Sequence, residues 1–110
     1  MKESNALMIR EYLDNHEKYE KKYGENTFIM MEVGSFFETY EFESNGFQRG
    51  ANLNKYCEIG GGMTKSLKQE LMINGKEGKL YMAGYPSVKY DKFTNIFLQN
   101  NCHLIIIEQT

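Results

Sequence analysis

Phe36 and Glu38 are the residues whose types and spacing are best suited to chemistry in this chain. They lie in Val33-Gly34-Ser35-Phe36-Phe37-Glu38-Thr39-Tyr40, directly after an apolar run from Thr27 to Val33. If the segment continues as a strand, alternate side chains share a face, so Phe36 and Glu38 point the same way and Phe37 points inward. One face then presents a flat ring beside a hydrogen-bonding acid. Such a pair fills a core, or it reads something flat and polar, as a nucleobase is. A strand interior disfavours glycine, so Gly34-Ser35 marks a bend or the close approach of another backbone. That weakens the plain reading of core aromatics and a surface acid.

Other chemistries have less support. Glu32, Glu38, Glu41 and Glu43 are the one group that could hold magnesium for phosphodiester hydrolysis. Glu38 and Glu41 fall on opposite faces of a regular strand, however, and a solvated acidic edge explains the group equally well. Cys102 and His103 are adjacent, so on a strand they face apart and cannot form a nucleophile and base. No GxxxxGK[ST], HExxH, CxxC or GxSxG occurs. Gly60-Gly61-Gly62 reads as a flexible connector whose backbone could approach a ligand. His16 falls inside a helical stripe and reads as a packed histidine.

The chain has 110 residues, 41% hydrophobic and 25% charged, which suits one globular domain of ordinary composition. No apolar run approaches the length that spans a bilayer, and the first residues are polar. With Cys57 and Cys102 read as reduced thiols, an intracellular protein is expected. The net charge of −2 argues against a simple cationic nucleic-acid binder. The charge is uneven: residues 1–50 carry a net −4 and residues 51–110 a net +2. Contact with a polyanion would therefore come mainly from the second half. Lys65 and Lys68, after the glycine loop, are the candidates for phosphate contacts, with Lys76 and Lys79 behind them. Only two of the 13 basic residues are arginine, so bidentate readout of guanine is nearly absent.

These residues must be positioned by a small set of elements. Residues 4–23 read as a helix, with Met8, Tyr12, Tyr19 and Tyr23 on one stripe beside Ile9 and Leu13, Ser4 as N-cap and Gly24 as the stop. Thr27–Val33 reads as a strand covered on both faces. Asn45-Gly46 is a turn, and residues 47–57 have weak helical character with Phe47, Ala51 and Leu53 inward. Glu70–Ile73 and Lys79–Met82 read as a hairpin around a five-residue loop, Asn74–Gly78. Pro86 ends that strand, Ser87 caps a helix with Tyr90, Phe93, Ile96 and Phe97 on one face, and Asn101 closes it. Cys102–Ile107 is expected at the sheet centre. The sum is an α/β (α+β) domain, a mixed sheet flanked by helices.

Three motifs in order give a resemblance. Gly34-Ser35-Phe36-Phe37-Glu38 resembles the GDFYE signature of the N-terminal mismatch-recognition domain of the MutS family. Met82-Ala83-Gly84-Tyr85-Pro86 is similar to that family's MAGxP segment, and Ile107-Glu108-Gln109 to its terminal strand ending in EQ. The similarity spans essentially residues 1–110. It implies recognition of mispaired or unpaired bases in double-stranded DNA, with Phe36 as the wedge that stacks on a displaced base and Glu38 as the acid that contacts it. Protonated, Glu38 would donate to a purine nitrogen; ionised, it would accept a base N–H. The resemblance further implies one domain of a longer, dimeric protein, with ATP and magnesium used elsewhere in that protein and no cofactor or catalysis here. Ser35 stands where the signature has an acid, and Phe37 where it has tyrosine. The alternatives are a metal-dependent endonuclease using Glu32, Glu38 and Glu41, and a MutS-like module turned to protein contact.

Overall fold

In the computed structural model the described residues are 3–109, with side chains from residue 5 onward. Helix α1 (Glu3–Tyr23) leads into strand β1 (Thr27–Val33), β2 (Phe36–Ser44) and β3 (Phe47–Gly50). Helix α2 (Leu53–Gly60), strands β4 (Ser66–Ile73) and β5 (Lys76–Pro86), a 3₁₀ turn (Ser87–Lys89), helix α3 (Tyr90–Gln99) and strand β6 (His103–Ile107) follow. The strands form one sheet in the order β4-β5-β2-β1-β6, with β3 paired to β2. The β1–β6 pairing is parallel and the others are antiparallel, so the sheet is mixed, as expected. Strand β2 is its hub. One edge of β2 pairs with β5 along residues 36–43, and the other is shared end to end by β1 and β3.

Each face of the sheet carries its own core. Phe28, Met30, Phe37, Tyr56, Tyr85, Phe93 and Phe97 pack on the side of α2 and α3. Ile9, Tyr12, Leu13, Ile29, Met31, Tyr40, Phe42 and Leu80 pack on the side of α1. Strand β1 thus sends alternate residues into two cores, which is why its sequence is almost continuously apolar. The Tyr12 hydroxyl joins α1 to two strands at once. It donates to the Ile29 carbonyl at 2.8 Å and accepts from the Tyr40 N–H at 3.1 Å.

Several details differ from expectation. The buried stripe of α1 is Ile9, Tyr12, Leu13 and His16, while Met8 and Tyr23 are exposed. Spacing of three, one and three residues keeps a single helical face, which Met8 and Tyr23 flank rather than join. The N-cap role of Ser4 lies outside the described side chains. Residues 47–50 form a strand and not a helix, because Asn45 (φ 49°) and Gly46 (φ 83°) fold the chain straight back onto β2. Phe47 is consequently 69% exposed, although Ala51 and Leu53 are buried as expected.

The β4–β5 connection is a two-residue Asn74-Gly75 turn, both residues at positive φ, and the strands extend into the expected loop. Ser87 makes no side-chain cap; its backbone N–H instead donates to the Ser35 carbonyl at 2.8 Å. Strand β6 lies at a sheet edge and not at the centre. Its apolar residues reflect two covered faces, which an edge strand can have as readily as a central one. Gly24 ends α1 as expected, with its N–H on the Glu20 carbonyl at 2.7 Å, and Asn101 takes the left-handed conformation (φ 61°).

Candidate nucleic-acid interface

The turn between β1 and β2 is two residues long, since Val33 pairs directly with Phe36. Gly34 takes φ 61° at its first position, which glycine adopts without the cost a side chain would carry. The bend at Gly34-Ser35 is therefore a full reversal. It places Phe36 at the start of β2, at the end of the sheet, where its ring is 46% exposed. Phe37 points to the other face and is buried, with ring centroids 5.1 Å from Tyr90 and 5.8 Å from Tyr85. Two adjacent phenylalanines are thus divided between surface and core by strand alternation alone.

Glu38 shares the face of Phe36 but is only 8% exposed. Its Oε1 accepts hydrogen bonds from the Tyr40 hydroxyl and from Lys68 Nζ, the latter at 3.1 Å. Lys68 Nζ also lies 5.8 Å from the centre of the Tyr40 ring. Burial, and then the Glu38 carboxylate beside it, push the Tyr40 hydroxyl well above the ordinary tyrosine range, so it stays protonated and donates. Lys68 reaches Glu38 because of a β-bulge. Leu67 pairs with Tyr81 and Gln69 with Leu80, so Lys68 is the extra residue, re-aimed over the sheet.

Lys65 is engaged on the opposite face. Its Nζ lies 3.3 Å from Glu41 Oε2 and 4.7 Å from the centre of the Tyr81 ring. Glu41 Oε1 accepts the Leu53 backbone N–H at 2.8 Å, at the first residue of α2. Both candidate phosphate-binding lysines therefore already hold acids of β2, one on each side of the sheet. Their side chains are partly exposed, at 23% for Lys65 and 32% for Lys68.

Lys76 and Lys79 fall elsewhere. Lys79 pairs with Glu43, seven residues along β2 from Phe36, about 23 Å away at the usual rise per strand residue. Lys76 sits near the exposed Phe47 ring at 5.2 Å. The remaining acids do not converge: Glu32 accepts the Gln109 N–H at 2.9 Å on the face of Glu41, and Glu38 lies on the other. Among the described residues no three His, Cys, Asp or Glu side chains are grouped to hold a metal. Gly61 ends α2, its N–H on the Cys57 carbonyl at 2.9 Å. Cys102 is buried and His103 exposed, its ring stacked 5.1 Å from that of Tyr23. Burial pushes the thiols of Cys57 and Cys102 upward. His16 is buried, with Nε2 3.3 Å from Glu20. No helix among the described residues is long and apolar enough to cross a membrane.

Two residues at this end of the molecule escaped sequence reasoning. Tyr40 had a visible signal, since it stands two residues from Glu38 on the same strand face. Val88 had none. It is 91% exposed in the 3₁₀ turn that the Ser87–Ser35 hydrogen bond ties to the β1–β2 turn. No family model matches the chain, and no match is found among curated proteins or solved structures.

Proposed function

We propose that this chain is a mismatch-sensing DNA-binding domain of the MutS type, in which Phe36 stacks on a mispaired or unpaired base and Glu38 contacts it. The observation that carries the reading is the division of labour at the start of β2. Phe36 stands exposed at a tight turn, Phe37 anchors that turn in the core, and Glu38 lies behind Phe36 on its own face. An exposed ring on a rigid, hydrogen-bonded hairpin suits insertion between base pairs, because little conformational freedom is lost on binding. Stacking an aromatic side chain on a base contributes about 1–3 kcal/mol whichever base it is. Wedging open a step costs a few kcal/mol, and less where pairing is already defective. Deformability then supplies the discrimination, which fits a chain with two arginines.

The two engaged lysines refine the electrostatics. Lys68 offsets the charge of Glu38, so the acid approaches phosphates as half of an ion pair. The sheet end bearing Phe36 therefore meets DNA without a bare negative charge beside the wedge. Affinity from phosphate contacts is small, and binding is expected at low salt and not at physiological salt.

Fluorescence anisotropy at low salt, with a matched duplex and the same duplex carrying one unpaired base, tests this reading. The wild-type chain prefers the defective duplex, and Phe36→Ala reduces its affinity for that duplex about tenfold or more, the loss of one stacking contact. Phe36→Ala leaves the weak matched-duplex binding in place. A Phe36→Ala chain that keeps the preference shows that another residue is the wedge. A wild-type chain without any preference refutes the reading.

A further inference from the structure

At the end of the sheet away from Phe36, three rings stack in a row. Tyr19 and Tyr23 stand four residues apart on α1, so they share a face of the helix. Their rings lie 12° from parallel with centroids 6.4 Å apart, and the His103 ring continues the row 5.1 Å from Tyr23 at 18°. Tyr19 is rooted against the α1-side core. The Thr27 hydroxyl donates to the Gly24 carbonyl at 2.7 Å, and the His103 N–H donates to the Asn26 carbonyl at 2.9 Å. These bonds fix the turn from α1 into β1 and seat His103 beside Tyr23. Tyr23 is nevertheless 42% exposed, and His103 is exposed as well.

Lysines of the same helix flank the row. Lys18 Nζ lies 5.3 Å from the centre of the Tyr19 ring, and Lys22 Nζ lies 5.2 Å from that of Tyr23. Lys21 is exposed between them in sequence. The acids nearby are already engaged: Arg49 holds Asp14 and Glu17, and Glu20 faces His16. Among the described residues Lys18, Lys21 and Lys22 make no ion pair, and from Asp14 to Glu25 only Glu25 is an acid without a partner. The acidic first half of the chain thus carries a local excess of positive charge here. The negative end of the helix dipole accounts for lysines in the last turn of α1. It does not account for an exposed tyrosine stacked on an exposed histidine.

From this row of rings and its lysines we infer a second site, at which single-stranded nucleic acid stacks its bases on Tyr23 and His103 while Lys18, Lys21 and Lys22 meet its phosphates. Every base has a flat face, so such a site takes any sequence, and cationic side chains beside the rings follow the backbone. An intact duplex keeps its bases stacked inside and offers the rings nothing. His103 pairs with Thr27 and Phe36 with Val33, at opposite ends of β1, about 20 Å apart at the usual rise per strand residue. The site is therefore separate from the β1–β2 turn and does not rest on the mismatch-sensing reading.

Binding of the full chain to a labelled oligothymidine, followed by fluorescence anisotropy at low salt, tests the inference. An abasic oligomer of the same length keeps the phosphates and lacks the bases. It is expected to bind about tenfold more weakly, the loss of stacking. Tyr23→Ala weakens oligothymidine binding by a similar factor and leaves the abasic oligomer unaffected, while Tyr23→Phe keeps the affinity. Lys18→Gln combined with Lys22→Gln lowers the salt slope of log K by about 1.4, twice the roughly 0.7 that one phosphate contributes on a single strand. Phe36→Ala changes none of these values. The chain has no tryptophan, so Tyr23→Trp supplies a single reporter whose emission falls as a base stacks on it.

The inference is overturned if oligothymidine does not bind, if the abasic oligomer binds equally well, or if Tyr23→Ala binds like the wild type. A Tyr23→Trp chain that binds without quenching overturns it too. An equal loss with Phe36→Ala would place the strand at the β1–β2 turn and remove the second site.

Discussion

Gly84→Ala lowers the stability of the domain by about 3 kcal/mol, at the upper end of what overpacking costs. Gly84 lies on β5 directly opposite Glu38 of β2. A Cβ built there would stand 2.4 Å from the Phe37 carbonyl oxygen and 3.4 Å from Glu38 Cα. The obstructing oxygen belongs to a backbone held between two neighbouring strands, so no side chain can swing away to relieve it. The strands must part locally, and the β2–β5 ladder is the longest pairing in the sheet. In a domain of this size the melting temperature falls by on the order of 10 °C. Thermal unfolding followed by circular dichroism reads the shift. A change of only one or two degrees would mean that the two strands separate without strain, contrary to the geometry. The same close approach gives a physical reason for glycine in the Met82–Pro86 segment: it lets the backbone of β5 lie flat against Phe37 and Glu38 of β2.

Glu41→Ala is expected to cost about 2–3 kcal/mol, chiefly through an unsatisfied buried N–H. Glu41 is 8% exposed on its side chain and serves α2 as an acceptor for the Leu53 N–H. Removing it strands that donor at the start of the helix and forfeits a negative charge near the positive end of the helix dipole. Lys65 contributes less to the loss, because its partly exposed ammonium can turn to water. Glu41→Gln keeps an acceptor for Leu53 while discarding the charge, and costs about 1 kcal/mol or less. Urea unfolding gives both values, and hydrogen exchange at the Leu53 amide reports the helix start directly. Equal losses for Ala and Gln would show that the charge and not the hydrogen bond carries the effect.

How much of this was legible in the sequence depended on range. Strand β1, the glycine stop after α1, the Asn45-Gly46 turn and the apolar face of α3 are written in neighbouring residues and were readable, whereas the second hairpin was read with a five-residue loop where Asn74-Gly75 alone turns the chain. The mixed architecture followed from them. Strand β3 was hidden because four residues, Phe47–Gly50, are too few for a period, and their pairing is set by a turn. The edge position of β6 was hidden because apolarity records covered faces and not neighbours across the sheet.

At the site the same distinction holds. Alternation along β2 separated Phe36 from Phe37, and the same alternation, unused in reading the sequence, sets Tyr40 beside Glu38. Nothing local could reveal that Lys68 holds Glu38 across thirty residues, or that Lys65 holds Glu41 across twenty-four. Both contacts require β4 to be threaded beside β5 with one extra residue at Lys68. Charge counting pointed to Lys65 and Lys68 as phosphate contacts; the register shows that each is also paired with an acid of β2.

The parallel pairing of β1 with β6 has a consequence for the order in which the chain assembles. Three hairpins in this sheet close through two-residue turns, so they can form in microseconds from adjacent residues. Thr27 and His103 pair across seventy-six residues, and closing a loop of that length costs about 4 kcal/mol in chain entropy before any contact repays it. Strand β6 therefore docks last, and pulse-labelled hydrogen exchange during refolding should protect Tyr40–Phe42 before Leu104–Ile106; the reverse order would refute this. Until it docks, the open edge of β1 and the run Leu104-Ile105-Ile106-Ile107 are both bare. An apolar β-branched segment without charge is the kind that pairs between molecules, so the refolding yield is expected to fall as protein concentration rises.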